Sequence, residues 1–326
     1  MKKILILLIL GVAAGACYDD YILDYEHDGI YFPYQLDVRT FVVGEGMEIK
    51  LGVALGGVRE NTRDRVVNYQ LDNSLISPAT LAMMQGSSAT YIKNSVGSEL
   101  KLLPSDYYTL SDNSQMIIKK GEHSGTITLT PDSTAFLADP ETIVATYAIP
   151  LRIVSSDADA DSVLATKDYA VIALKYENML FGNYWHGGVT IVKDSLGNPI
   201  DTTLYHTTIP SPEAKIWSLR TVEPFALTSN GVSSISSSSK PEMKITLDAG
   251  GNIVVSAVAG ASFPVEPDGP SIFNQAKLLQ DRKILLNYKY QDAIGNWYHA
   301  TDTLTFRNRI RDGVNEWQDE NPDNYD

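Results

Sequence analysis

The stretch Met47-Glu48-Ile49-Lys50-Leu51-Gly52-Val53-Ala54-Leu55 alternates strictly, putting Met47, Ile49, Leu51, Val53 and Leu55 on one side. A period of two marks a half-buried strand, because the apolar positions of a helix recur every three or four residues. Shorter runs at 66–71, 115–119, 124–130, 145–154 and 169–176 follow, separated by clusters of Gly, Pro, Asp and Ser. Residues 78–85 suggest one helical turn, and nothing sustains a long helix. About seven short strands at this spacing predict a β-sandwich of immunoglobulin-like type.

A second block begins at Leu180-Phe181-Gly182. Its strand candidates are 183–193, 203–209, 216–222, 243–248, 252–258, 283–291 and 297–306. Asp194-Ser195-Leu196-Gly197-Asn198-Pro199 and Gln291-Asp292-Ala293-Ile294-Gly295-Asn296 read as hairpin turns, and residues 233–240 as a serine-rich loop. Antiparallel strands joined this way predict a closed barrel, lipocalin-like in type, with a second sandwich as the alternative. The expected class is all-β, with a sandwich over 29–178, a barrel or sandwich over 179–318 and an acidic tail over 319–326.

The chain opens as a targeting segment. Lys2 and Lys3 precede an unbroken apolar run from Ile4 to Leu10, then mostly small residues to Ala16. That run is too short to span a bilayer, so residues 1–16 read as a signal peptide. Cys17 is the single cysteine of the 326 residues and cannot form an internal disulfide. Its place after Ala14-Gly15-Ala16 fits a bacterial lipoprotein attachment site, with Ala14 where Leu is commoner. Acylation at Cys17 would hold the mature chain to a membrane through several lipid chains. Residues 18–28 carry five Asp or Glu and read as a solvated tether. The formal charge is -14, which disfavours nucleic acid and anionic headgroups and leaves neutral partners unpenalised.

Two segments carry a family likeness: "ELKLLPSDYYTLSDNSQMIIKKGEHSGTITLT" and "YAIPLRIVSSDADADSVLATKDYAVIALKY". Their Leu-Pro-Xaa-Xaa-Tyr-Tyr, Lys-Gly-Glu and Tyr-Xaa-Ile-Pro-Leu motifs, in that order, resemble an N-terminal domain of Bacteroidota lipoproteins, the domain of unknown function 1735 type. The second block, "FGNYWHGG" through "TDTLTFRNRIRDGVNEW", is similar to the domain of unknown function 4361 type often paired with it. The resemblance implies a surface glycan-binding lipoprotein of a polysaccharide-utilisation system. Such proteins sit at the outer membrane, face the exterior and work beside an outer-membrane transporter. Asp19 and Asp20 loosely match the acidic export cue found behind the lipidated cysteine in that phylum.

No signature of catalysis stands out. The sequence lacks a Gly-Xaa-Ser-Xaa-Gly elbow, a His-Glu-Xaa-Xaa-His pair, a phosphate loop and the Asp-Xaa-Xaa-Asp-Xaa-Asp-Xaa-Glu strand of the related glycosidases. His27, His123, His186, His206 and His299 are dispersed, so neither an enzyme nor a cofactor is expected. Asp157-Ala158-Asp159-Ala160-Asp161, with Asp168 beyond, has the alternation of a calcium loop but Ser162 where its glycine belongs; a solvated turn is the expected reading. Aromatics are the better lead, since a flat ring stacks on the apolar C–H face of a sugar. All four tryptophans, Trp185, Trp217, Trp297 and Trp317, lie in the second block. Tyr184-Trp185-His186 and Trp297-Tyr298-His299 fall on its first and last strands, which neighbour each other in a barrel. Trp185 and Trp297 are therefore the leading ligand-binding candidates, with Trp217, Tyr205 and Tyr298 behind them; the competing reading is that Trp185 and Trp297 plug the barrel. The rivals in function are a fimbrial or adhesin subunit released by cleavage after Arg39, and a cryptic hydrolase.

Overall fold

The alternation at 47–55 becomes β3 (Ile49–Gly56), whose residues Leu51, Val53 and Leu55 are buried while the positions between them are half-buried. The structure, a computed structural model, describes residues 28–157, 163–205, 215–235 and 240–319; Cys17, most of the tether and most of the tail lie outside them. β3 pairs with β1 (Gly29–Tyr31) and β8 (Ser124–Pro131), and β8 with β6 (Tyr108–Leu110), making a four-stranded sheet. The facing sheet runs β2 (Leu36–Val43), β10 (Tyr169–Asn178), β9 (Ala145–Ser156), β4 (Arg65–Leu71) and β7 (Gln115–Ile118), with β5 (Val96–Leu102) also on β9. The core between the sheets includes Phe41 and Phe136, edge to face at 5.3 Å.

β9 and β10 lack alternation because both of their faces are covered. Val38, Ala148, Val171 and Ala173 point away from the sandwich core and meet Met84 of α1 (Pro78–Gln85) and Ile92 of α2 (Thr90–Ser95). A strand buried on both sides reads as a continuous apolar run. The single helical turn expected at 78–85 is a helix capped by the Ser77 side chain. α2 and α3 (Ser133–Ala138) are too short for their periodicity to register.

The second block closes into a barrel. In order around the wall come β11 (Gly182–Lys193), β13 (Lys215–Glu223), β14 (Ala226–Ser229), β15 (Met243–Leu247), β16 (Asn252–Ala257), β18 (Ser271–Phe273), β19 (Lys283–Gln291) and β20 (Trp297–Arg311). β20 then pairs with β11 over eleven register positions and completes the eight-stranded circuit. β12 (Pro199–Tyr205) extends the wall beside β11, β17 (Glu266–Pro267) lies beside β19, and β21 (Val314–Glu316) folds back on β20. Three of the turns share the order Asp-Xaa-Xaa-Gly-Asn, at Asp194, Asp248 and Asp292. In each, Asp Oδ1 accepts the backbone N–H of the second and fourth residues onward, and Asn Nδ2 donates to Oδ2. The glycine takes the left-handed φ, +87°, +82° and +93° in turn, which a side chain would strain.

The two domains meet through a buried carboxylate. Glu45, on the turn between β2 and β3, enters the base of the barrel. Both terminal nitrogens of Arg309 donate to it, at 2.8 and 2.7 Å, and Arg282 Nη2 reaches it at 2.7 Å. Arg309 Nε donates to Glu316, and Arg282 Nη1 to the Met179 carbonyl at 2.7 Å. The side chains of Glu45, Arg282 and Arg309 are 4%, 0% and 1% exposed. Burial alone would raise the Glu45 pKa; hydrogen bonds and charge from Arg309 and Arg282 outweigh it and bring the pKa below the ordinary glutamate value. The linker between β10 and β11 is packed as well, with Leu180 fully buried and Phe181 beneath the Arg309 guanidinium. At the far end of the seam Asp312 accepts the backbone N–H and hydroxyl of Thr40 on the edge strand β2, blunting that edge.

Removing one partner of such a network strands the others, so Glu45→Ala should cost about 3–5 kcal/mol in denaturant unfolding. Because the folded pKa of Glu45 is lowered, its contribution is present above the unfolded glutamate pKa and is lost as pH falls through the folded one. The gap in melting temperature between wild type and Glu45→Gln should therefore be widest near neutrality and shrink with acidification.

Candidate functional site

The phase of each strand decides which aromatics face the lumen. On β11, Tyr184, His186, Thr190 and Val192 are buried inside, and Trp185 faces out. On β20 the inward set is Tyr298, Ala300, Asp302, Leu304 and Phe306, leaving Trp297, His299, Thr301, Thr303, Thr305 and Arg307 outside. The two aromatic-aromatic-His triplets thus run in opposite phase. Neither Trp185 nor Trp297 plugs the barrel; Trp217, Tyr184 and Tyr288, each 0% exposed, do.

Trp217 and Tyr205 flank the His186 ring inside, at centroid distances of 3.9 and 5.0 Å. Neither presents a face to solvent, which removes both from the stacking surface expected of them. Beside them Asp302, fully buried, accepts hydrogen bonds from Tyr205 and, at 2.5 Å, from Tyr288. Thr190 and Ser233 extend the network, the Ser233 N–H donating to Tyr288 Oη. Burial, followed by the neighbouring carboxylate, raises both tyrosine pKa values, so both hydroxyls remain donors. His186 Nε2 lies 3.3 Å from Asp302 Oδ1 but is not aimed for a hydrogen bond, and Trp217 Nε1 is also unpartnered among the described residues. A Cβ on Gly188 would meet Asp302 Oδ1 at 2.7 Å and the Tyr205 ring at 2.9 Å. The strand order is that of a lipocalin, while this level of the lumen is filled by side chains. Tyr298 is half-buried and stacks on Tyr290 at 4.9 Å.

The outer wall of β11, β20 and β19 carries the remaining candidates. Trp297 is half-buried, with Lys289 Nζ 4.7 Å from its ring centre. The strand register places His299 beside Ile191 and Lys289, and Thr301 beside Val189 and Asn287. His299 Nδ1 meets Asp268 at 2.5 Å, and Thr301 donates to Asn287 at 3.0 Å. Along the strand from this ring follow imidazole, carboxylate, hydroxyl and amide groups, the set that reads sugar hydroxyls, the Thr301–Asn287 pair lying about 13 Å from it. Trp185 sits on the same wall beneath the Arg307 guanidinium, 5.0 Å away, next to Asn183, Ser218 and Asn308. Trp297 pairs with Lys193, eight residues from Trp185 on β11, so the two rings are about 26 Å apart. They share a face but cannot grip one sugar ring. Trp317 is 58% exposed.

Other candidates contribute less. A cleft of about 310 Å³ at the seam is lined by Met179, Phe225, Phe273 and Gln275, and the Arg282 that borders it is already engaged by Glu45. Residues 158–162 lie outside the described residues; Asp157, which precedes them, pairs with Arg63, and Asp168 with Arg152. No cluster of metal-ligating side chains occurs among the described residues.

A family model described as a "-like, N-terminal domain" matches residues 24–160, the sandwich without its last strand. No curated protein matches the chain. A solved structure of unknown function from Bacteroides ovatus is 19% identical with a TM-score of 0.63, covering 91% of this chain and 99% of that one. A multidomain protein including DUF1735 from the same organism is 13% identical, TM-score 0.43, over 90% and 100%. An auxiliary nutrient binding protein from Bacteroides thetaiotaomicron is 16% identical, TM-score 0.43, over 86% and 96%. The likeness to the first is one of fold and spans both domains.

The division into filled lumen and functional wall has a direct check. Asp302→Ala, which strands two buried hydroxyls, should cost about 2–4 kcal/mol in chemical denaturation. Asp268→Ala on the outer wall should stay within about 0.5 kcal/mol of wild type. Equal costs would show that the phase assignment is wrong.

Proposed function

We propose that this chain is an exported, lipid-anchored, non-catalytic glycan-binding protein whose barrel holds the sugar on its outer wall. The observation that carries this reading is the outward orientation of both Trp185 and Trp297. A tryptophan on the outside of a barrel contributes little to the core, and each here has a cation over its ring and polar side chains at neighbouring positions of the wall. The anchor follows from the lipoprotein-type sequence at Cys17, and the exterior face of an outer membrane from the resemblance. An outer-membrane transporter is the partner this layout suits. The sandwich then acts as a spacer, rigidly joined to the barrel through Glu45.

The fimbrial alternative gains no support. The Arg39–Thr40 bond lies inside β2, which pairs with β10 across eight register positions, and Arg39 is held by Asp37 at 2.9 Å. Cleavage there would cut through a paired strand. A hydrolase would need two carboxylates across one open site; among the described residues, Glu266 and Asp268, which contact the outward side chains of this wall, are each held by a neighbouring Lys or His.

Affinity electrophoresis over a panel of polysaccharides tests the site. Trp297→Ala and Trp185→Ala should each weaken retention about tenfold or more, an effect in the range of a lost stacking contact, with unfolding still cooperative. Unchanged retention in both would remove the wall from consideration. Replacing Cys17 by Ser should release the protein from the membrane fraction in a cell fractionation; persistence there would overturn the anchor.

A further inference from the structure

The wall that carries both tryptophans differs in charge from the rest of the molecule. The chain has 40 acidic and 26 basic residues. Yet the outward positions of β11, β19 and β20 hold Lys193, Lys283, Lys289 and Arg307 and no Asp or Glu. The acids that reach this wall come from the segment around β17: Glu266 lies 3.2 Å from Lys289, and Asp268 contacts His299. Lys193, Lys283 and Arg307 have no carboxylate within ion-pair distance among the described residues; Arg307 donates only to the Asn308 side chain, at 3.3 Å.

The cations are placed where they matter. Lys289 lies over the Trp297 ring and Arg307 over the Trp185 ring. A sugar that stacks on the ring face a cation covers displaces that cation. A neutral sugar offers the displaced cation only hydroxyl acceptors, which carry no charge to balance it. A sugar bearing a carboxylate or sulfate supplies it with a counter-ion in the same step. Between the two rings run the exposed hydroxyls of Thr301 and Thr303, with Asn287 alongside, over a span longer than one or two sugar rings can bridge.

From this we infer that the ligand of the wall is an anionic glycan chain, its sugars carrying carboxylate or sulfate, laid along β20 from Trp297 toward Trp185. The inference rests on the glycan reading above and replaces the neutral partner that the overall charge suggests.

The test is affinity electrophoresis of the mature protein in gels containing polygalacturonate, alginate, carrageenan (sulfated and free of uronate), xylan, mannan or a neutral β-glucan. The expected result is retention by at least one acidic polymer, lost progressively as NaCl is raised. It should also fall about tenfold or more in the Lys289→Gln/Arg307→Gln double variant, with the melting temperature unchanged. The uronate and sulfate arms distinguish the two anionic groups. Lys50→Gln, on the sandwich, should leave retention as it was. Retention by neutral polymers alone, or retention indifferent to salt and to the double variant, would overturn the inference and leave the glycan reading standing. Retention by none of the six would sink the glycan reading itself.

Discussion

Arg282 and Arg309 are both buried in the base of the barrel, and the carboxylate that reaches both, Glu45, belongs to the other domain. Without it both buried guanidinium groups would lose a charged partner, Arg309 keeping Glu316, in a medium that solvates charge poorly, a loss costing several kcal/mol. The barrel base is therefore complete only when the sandwich is docked. Domain interfaces within a chain are commonly polar and loose; this one is closed by buried charge and a three-residue linker whose Leu180 is core. The orientation of the outer wall relative to the sandwich is fixed by the same contact.

Inside the barrel a second buried carboxylate has a different effect. Asp302 draws Tyr205 and Tyr288 inward, and Thr190 and Ser233 close the network. With Trp217 stacked on His186, these groups occupy the volume that a lipocalin-type barrel gives to a ligand. A filled lumen leaves the outside as the surface on which aromatic side chains can meet a partner. Among the described residues Trp217 Nε1 and His186 Nε2 find no hydrogen-bond partner in this packing.

Much of this fold was legible in the sequence because strands announce themselves locally. The alternation at 47–55, the Asp-Xaa-Xaa-Gly-Asn turns at Asp194 and Asp292 and the proximity of first and last barrel strands all appear as expected. The turn at Asp248 has the same pattern, with Gly250 beside the glycine that takes the left-handed φ, Gly251. Facing was not legible: Tyr184 and Trp185 differ by one residue and by a side of the wall, and nothing local says which is in. The separation of Trp185 from Trp297 depends on the register of β11 against β20, a property of the closed barrel. Glu45 was hidden for a related reason, since its partner Arg309 lies 264 residues away and a single glutamate in a turn looks like any other.

The contrast between a net charge of -14 and a basic wall is less contradictory than it looks. In physiological salt a charge is felt over roughly 8 Å, so a distant acidic face contributes little to what a ligand meets at contact. The overall charge acts on approach, slowing the arrival of any polyanion and keeping copies of the protein apart. Capture depends instead on groups within hydrogen-bonding distance, and on this wall those are lysine, arginine, threonine and tryptophan. An acidic molecule with a basic wall would then reject polyanions in general while holding one whose charges are spaced to match its own cations, which is a basis for selectivity that a uniformly basic protein lacks.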